Sequence, residues 1–178
     1  MDTTLAADPQ LIGIGLLVGR VVLGLLMAAH GTQKLFGWFG GYGLKATGEF
    51  FVHMGFRNGP LFAGAASAAE VVSGLLVAFG LLGPVGPAMM ISIMIVAAVS
   101  VHAANGLWAS KNGIELPLLY GAGAFVLALA GSGIYSLDAV FGLTERYTPA
   151  LTWIALAVGV TGGVLNLLLR RQRPAATA

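Results

Sequence analysis

The residues best placed for chemistry are the few charged and imidazole side chains that interrupt or end long apolar stretches. Arg20 lies near the middle of Leu11–Ala29, and Glu70 lies near the middle of Leu61–Leu82. A charge at the centre of a membrane-spanning helix costs about 2.5–3.5 kcal/mol on insertion scales, so each should have a partner. Their depths match and their charges are opposite. We therefore predict that Arg20 and Glu70 pair inside a helical bundle, as a structural pin or as a proton or ligand site.

A second group of polar side chains is predicted at one end of the same bundle. Two apolar stretches end near this group and a third begins there, so the topology gives its members one depth. Structural interpretations exist for two of them: Asn105 can cap helix-end groups, and Glu115 is favoured at a helix N-terminus. These interpretations leave two histidines and a lysine unexplained, so we expect a small pocket. The group consists of His30, Lys34, His102, Asn105 and Glu115, with Trp108 as a cap.

The predicted roles follow from these two groups. The candidate catalytic residues are Arg20, Glu70, His30, Lys34, His102 and Glu115. The candidate cofactor-binding residues are His30, Lys34, His102, Asn105 and Trp108.

A quinone or a similar small apolar ligand with polar ends fits such a pocket better than a metal or haem. No HxxxH or HxxE spacing occurs within one helix, and no phosphate loop, nucleophile elbow or dinucleotide fingerprint is present. Haem would need an axial histidine inside the apolar layer, whereas both histidines lie near its edge. Histidine and lysine can donate to ligand oxygens, Glu115 can relay protons, and Trp108 can flank a ring. The sequence predicts no metal site.

Long apolar helices must position these residues. Of the 178 residues, 57% are hydrophobic and only 9% are charged, against about 25% charged in a soluble domain. A soluble monomer and a disordered chain are both excluded, and the net charge of +2 points to membrane orientation rather than to nucleic acid. A bilayer core needs about 20 apolar residues as helix. Five stretches qualify: Leu11–Ala29, Leu61–Leu82, Val85–Ala104, Leu116–Leu137 and Pro149–Leu169.

The predicted fold is therefore an all-α integral membrane protein, a four-helix bundle with a fifth C-terminal helix. The bundle covers residues 11–141, the fifth helix 149–169, and a basic tail 170–178. Within the bundle, apolar residues at helical spacing predict a short interfacial helix at about 44–54, with Lys45 and Glu49 on its polar face. The first stretch should be a spanning helix rather than a cleaved signal peptide, because acidic and not basic residues precede it.

Charge asymmetry predicts the orientation. With five spans, one side of the membrane receives Arg146 as its single Lys or Arg. The other side receives Lys34, Lys45, Arg57, Lys111, Arg170, Arg171 and Arg173. Cytoplasmic loops carry the excess of Lys and Arg. We therefore expect an inner (plasma) membrane protein with its N-terminus outside and its C-terminus in the cytoplasm.

The polar positions also occur in recognisable sequence fragments. They are R-V-V-L-G-L-L-M-A-A-H-G-T-Q-K from Arg20, H-A-A-N-G-L-W from His102, and G-S-G-I-Y-S-L-D ending at Asp138. Together with Glu70 and Glu115, these fragments resemble the DoxX family of small membrane proteins over roughly residues 11–141. The resemblance implies a four-helix membrane bundle, usually labelled an oxidoreductase; the related DoxD protein is a subunit of a thiosulfate:quinone oxidoreductase. It further implies that the family's recurrent polar positions are Arg20, His30, Lys34, Glu70, Asn105, Glu115 and Asp138. The fifth helix departs from this pattern.

Three functional hypotheses remain open at the level of the sequence. The first is a quinone-linked redox protein with a polar pocket at the cytoplasmic end of the bundle. The second is a small-molecule or ion transporter or channel, with Arg20 and Glu70 lining a path at the membrane midplane. The third is a non-catalytic scaffold subunit that docks a soluble partner, such as a redox protein, on its basic cytoplasmic face. The sequence is compatible with an oligomer.

Overall fold

A computed structural model describes residues 8–170, and all regular elements within them are helical. The helices are α1 (Pro9–Phe36), α2 (Gly43–His53), α3 (Gly59–Phe79), α4 (Val85–Ala97), α5 (Glu115–Ala130), α6 (Leu137–Val140) and α7 (Pro149–Leu168). A π-helical turn, Ala98–His102, and a 3₁₀ turn, Ala103–Asn105, continue α4. The predicted tail lies outside the described residues from 171 onward.

In the described part of the chain, four helical segments are long and apolar enough to cross a membrane. They are Pro9–Phe36, Gly59–Phe79, Val85–Asn105 and Pro149–Leu168. Together with the helical secondary structure, they confirm the predicted class, an all-α membrane protein. The first of them is 28 residues long, and it continues beyond the predicted end at Ala29 to a left-handed C-cap at Gly37.

The fourth apolar stretch forms a helix of only 16 residues, α5. It is shorter than predicted because the chain leaves the helix at Gly131, which has a φ of 79°. The turns that follow, over residues 131–136, continue the path alongside α1. The rings of Tyr120 and His30 lie 5.9 Å apart at one end, and Gly133 faces Leu16 at the other. Residues 120–133 therefore cover the same depth as residues 16–30 of α1.

Close contact between α1 and α3 depends on small residues. A Cβ atom on Gly24 would meet the backbone nitrogen of Ala78 at 2.5 Å, and one on Gly74 would meet that of Ala28 at 2.5 Å. Small residues let the backbones of two helices approach closely, which substitutes for the hydrophobic driving force that a bilayer lacks. These two helices therefore run antiparallel, and the small residues fix the register between them.

The C-terminal helix α7 packs on α4 in the same manner. Gly159 lies against the backbone of Ala88, and Gly163 lies against that of Ser92. The residue numbers increase together along both helices, so α7 runs parallel to α4. Because α7 and α4 run in the same direction, the chain must cross back in the opposite direction after α4 and before α7, and α5 provides that crossing.

The segment between α1 and α3 contains a helix where one is predicted. Helix α2 buries Thr47, Gly48 and Phe51, while Lys45 and Glu49 are exposed. Its buried face packs on α3 through the backbone of Gly48 and the first residues of that helix. Helix α2 thus covers one side of the bundle near the end that carries most of the basic residues, which we call the basic end: residues 37–58, 103–114 and 169–170.

Candidate functional site

The predicted pair of Arg20 and Glu70 does not form. Gly31 of α1 lies against Ser67 and Val71 of α3, so Glu70 is level with Gly31 and not with Arg20. At 1.5 Å per residue, about 16 Å of helix separates the two charged side chains along the bundle axis. The prediction was wrong because matching positions in two apolar stretches do not fix the stagger between the helices: the middle of α3 packs on the last third of α1, whereas Arg20 lies in the first half of α1.

The partner of Glu70 is Lys34, in the last turn of α1. The Lys34 ammonium donates a hydrogen bond to Oε1 of Glu70 in an ion pair. The side chain of Glu70 is 4% exposed and that of Lys34 is 36% exposed. The lysine therefore brings a charge from the rim of the bundle to a carboxylate that is buried between helices.

The second oxygen of the Glu70 carboxylate takes no part in this ion pair. Oε2 of Glu70 is buried and has no hydrogen-bond partner among residues 8–170. A buried acceptor without a partner costs free energy, roughly 1–3 kcal/mol and more for a charged group. Such an atom indicates a place where a ligand or a water molecule supplies the missing donor.

The ion pair lines a cavity of about 320 Å³. Helices α2, α3 and α4 form most of its wall, and α1 and α7 contribute one residue each. The lining is largely apolar, with polar groups from Lys34, Thr47, Glu70, Ser92, Ser100 and Asn166. Phe50 and Asn166 are exposed and mark the rim, so the cavity reaches the surface of the bundle between α2 and α7. Arg170 closes this side further, since its Nε donates to the carbonyl of Met54 at 3.0 Å.

The other members of the predicted pocket do not line this cavity. His102, Asn105 and Glu115 form a clasp within the loop between α4 and α5 instead. Nδ1 of His102 and Nδ2 of Asn105 both bond the carbonyl of Asn112, at 2.8 and 3.2 Å. Oε2 of Glu115 accepts the backbone N–H of Ala109 at 2.7 Å. The predicted convergence was wrong because these short-range loop bonds satisfy the polar groups locally.

Trp108 and His30 also lie apart from the cavity. Trp108 is 60% exposed and does not cap it. His30 is exposed, bonds Oε1 of Gln33 at 3.1 Å, and packs edge-on against Tyr120. Of the residues predicted for the pocket, Lys34 alone lines the cavity, and Glu70 from the predicted midplane pair joins it.

Arg20 belongs to a second polar cluster at the opposite end of the bundle. Its Nη2 donates to the carbonyl of Tyr135 at 2.8 Å and its Nη1 to that of Ala78 at 3.3 Å. Its Nε has no partner within residues 8–170. The guanidinium also fills the space beside Gly80, where a Cβ atom would collide with it. Arg20 therefore joins α1 to the end of α3 and to the segment after α5.

Asp138 holds the turn between α3 and α4. Its side chain is completely buried and accepts the backbone N–H groups of Leu82 at 2.9 Å and Gly83 at 2.7 Å. Both donors have positive φ, so the turn presents successive N–H groups to one anion. The hydroxyls of Ser132 and Tyr147 complete the shell at 2.8 and 3.3 Å.

Tyr147 lies just before α7, outside the membrane-spanning helices. Burial raises the pKa of its phenol, and the negative charge of Asp138 and the hydrogen bond to that carboxylate raise it further. The phenol therefore stays protonated as a donor to Asp138. This shell accounts structurally for the aspartate that the family resemblance singled out.

Sequence reasoning missed Ser100. This residue lines the cavity, and its hydroxyl is buried without a partner among the described residues. A serine in an apolar helix ordinarily bonds its own backbone, so its type and position gave no signal. Across residues 8–170, no group of three or more metal-ligating side chains occurs.

Comparison with known proteins identifies the first half of the bundle. A family model described as DoxX matches residues 15–103, half of the chain. An uncharacterized protein of Haemophilus influenzae is 30% identical over 89 residues, which is 50% of this chain and 57% of that relative. No solved structure matches. The matched residues include Arg20, Lys34, Glu70 and Ser100 and leave out α5, α6 and α7.

Proposed function

This chain belongs to the DoxX family of membrane proteins, and from that premise we propose that it binds a quinone in the Lys34–Glu70 cavity as part of a redox system. The single observation that carries the proposal is the buried ion pair at the wall of a largely apolar cavity, with Oε2 of Glu70 left without a partner. Small-molecule sites combine an apolar lining with a few polar groups that fix orientation. The cavity has this composition.

The residues present fit the chemistry of a quinone head group. A cavity of about 320 Å³ lies at the lower end of the range for small-ligand sites. Lys34 can donate to a carbonyl oxygen, and Glu70 can accept a hydrogen bond from a hydroxyl. When bound, a quinone would supply two-electron, two-proton redox chemistry.

Lys34 and Glu70 have complementary tasks in this proposal. The lysine binds and orients the oxygen of the ligand, and its 36% exposure leaves it in contact with the basic end. Glu70 holds or accepts a proton at Oε2, in a place that α2 and α3 shield from water. The apolar residues of α2, α3 and α4 exclude water from the ring.

Two observations weigh against the alternative of a midplane path for ions or solutes. Arg20 is about 16 Å of helix away from the level of Glu70, and its terminal nitrogens are bonded to backbone carbonyls. A path would need both charges to face one channel. The arrangement supports a binding cavity near the basic end instead.

The charge distribution supports a location and an orientation. We place the protein in the plasma (inner) membrane with the basic end in the cytoplasm, following the excess of Lys and Arg there. Trp38 and Trp108 are 57% and 60% exposed at that end, as expected of residues at a membrane interface. A soluble redox partner would then approach the rim of the cavity from the cytoplasm and supply or remove electrons.

The test is quinone binding by the full chain in nanodiscs. Menadione, a 1,4-naphthoquinone, is a suitable probe because the chain has no cysteine for it to alkylate. We expect saturable binding by calorimetry, and loss of that binding in the double variant Lys34→Met/Glu70→Gln. Mass spectrometry of lipid extracts should also find membrane quinone co-purifying with the wild type and not with the variant.

The matched control is Lys45→Met/Glu49→Gln. It makes the same chemical changes on the exposed face of α2, so it should leave binding unchanged. Equal binding by nanodiscs with and without the protein would overturn the proposal. Equal binding by the wild type and the Lys34/Glu70 variant would also overturn it.

A further inference from the structure

The π-helical turn at the end of α4 carries Ser100, whose hydroxyl lacks the backbone hydrogen bond that two other buried serines make. Ser67 donates to the carbonyl of Ala63 at 2.6 Å, and Ser73 donates to that of Glu70 at 3.3 Å. Bonding a carbonyl three or four residues back is the usual solution for a hydroxyl within a helix. Ser100 makes no such bond, and its Oγ is buried without a partner in the described part of the chain.

The backbone around Ser100 explains how this side chain is displayed. The N–H of Ala103 bonds the carbonyl of Ala98, five residues back, which is the π-helical pattern. A π-turn inserts a residue into the helix and changes which side chains face a neighbour, and such turns are frequent at functional sites. The insertion leaves the carbonyl of Val101 to the side chain of Asn105, whose Nδ2 donates to it at 3.3 Å.

The clasp of the α4–α5 loop keeps this turn in place. His102, the last residue of the π-turn, and Asn105 both bond the carbonyl of Asn112. These two residues thus support the conformation of Ser100 without lining the cavity themselves. The clasp gives the polar residues of the loop a positioning role.

Two residues that line one cavity therefore each carry a buried polar atom without a partner among the described residues: Glu70 with Oε2 and Ser100 with Oγ. They belong to different helices, α3 and the extension of α4, so they approach the cavity from separate walls. A ligand with one polar group satisfies at most one of these places. A ligand with an oxygen at each end of a flat apolar body reaches both, and it satisfies Oε2 of Glu70 when the oxygen on that side is a hydroxyl.

Resting on the proposed function, we propose that Ser100 is a second ligand-binding residue that selects a para-quinone, a ring with oxygens on opposite sides. The ammonium of Lys34 donates to one oxygen of the quinone, and Oε2 of Glu70 accepts from that oxygen when it is a hydroxyl, in the reduced form. The hydroxyl of Ser100 donates to the other. The cavity then selects rings that carry two oxygens over rings that carry one.

The experiment compares a probe that has two carbonyl oxygens with a more saturated probe that has one. Menadione carries two carbonyls, and 2-methyl-1-tetralone keeps the carbon skeleton with one of them. The full chain in nanodiscs is titrated with both, as wild type, Ser100→Ala and Ser73→Ala. One hydrogen bond to a neutral group corresponds to a loss of about three- to tenfold in affinity. Ser100→Ala should therefore weaken menadione by that factor and change the binding of the tetralone less than twofold, because the charged Lys34 is the stronger donor and takes a single carbonyl.

The control Ser73→Ala removes a hydroxyl that is already bonded to its own helix, and it should leave both affinities unchanged. Ser100→Gly also removes the hydroxyl, and it replaces Ser100→Ala if that variant elutes as an aggregate. If Ser100→Ala weakens both probes equally, or neither, while Lys34→Met/Glu70→Gln abolishes menadione binding, the role of Ser100 is overturned and the proposed function stands. If the wild type binds neither probe, both proposals fail.

Discussion

The pairing of Lys34 with Glu70 can be tested by its asymmetry. The carboxylate is 4% exposed, whereas the lysine side chain is 36% exposed. Lys34→Met leaves a buried carboxylate without its counter-charge, and loss of one partner of a buried pair typically costs about 3–5 kcal/mol. Glu70→Gln leaves an ammonium that can turn to the interface on its flexible stem, so we expect a loss of only about 1 kcal/mol.

The double variant removes the carboxylate and the ammonium together. Lys34→Met/Glu70→Gln should cost far less than the sum of the single changes, with a coupling energy of about 2–3 kcal/mol. The comparison cycle uses Arg20→Met with Glu70→Gln. About 16 Å of helix separates those residues, and distant sites add within about 0.5 kcal/mol.

The assay is reversible unfolding in mixed detergent and SDS micelles, followed by the fluorescence of the three tryptophans. The free energy of unfolding is measured for the wild type, each single variant and both double variants. Equal costs for Lys34→Met and Glu70→Gln would refute the burial argument. Additive costs for those two changes would show that the side chains do not interact, and coupling between Arg20 and Glu70 would restore the pairing that the structure contradicts.

Three further predictions concern the rest of the molecule. A single cysteine replacing Lys45, in a chain that has none, should be labelled by an impermeant maleimide only after cells are opened; labelling of intact cells would reverse the orientation. Asp138→Asn replaces the carboxylate that accepts two backbone N–H groups of the α3–α4 turn with a neutral amide. This change should lower the free energy of unfolding by about 1–3 kcal/mol, and an unchanged value would show that the turn forms without the carboxylate. Because the pKa of the Tyr147 phenol is raised in the folded protein, the phenol of the unfolded chain loses its proton at a lower pH. The stabilising contribution of this phenol should therefore be fully present below about pH 10 and be lost above it. Tyr147→Phe should reduce the fall of the thermal unfolding temperature above that pH, and an unaltered fall would assign it to other groups.

The class of fold was predictable because bilayer thickness demands long apolar helices, and few other folds produce such runs. The end of α1 was not. The segment from Gly31 to Lys34 reads as the start of a loop in the sequence, since it is polar and begins with glycine. It remains helical because Gly31 packs closely on α3 and because Lys34 finds a carboxylate there. Both reasons are tertiary contacts.

The candidate site could be predicted in part. Glu70 and Lys34 attracted attention through residue type and depth, but their pairing depends on the register between α1 and α3. That register is set by the positions of small residues such as Gly24 and Gly74, which a glycine-rich sequence offers many times over. Ser100 could not be found at all, because Val-Ser-Val-His reads as ordinary helix and nothing in it announces a π-turn.

The two polar clusters of the bundle differ in how their charges are satisfied, and this difference separates structure from function. Arg20 donates hydrogen bonds from both terminal nitrogens to backbone carbonyls, and these bonds join three chain segments. Glu70 instead pairs with a flexible, partly exposed lysine and lines a cavity, and its Oε2 has no partner among the described residues. A lysine side chain can move as a ligand enters, whereas a carbonyl within a helix cannot. This contrast is why we assign a structural role to Arg20, whose charge is bonded to backbone, and propose the ligand site at Glu70, whose charge is bonded to a mobile side chain.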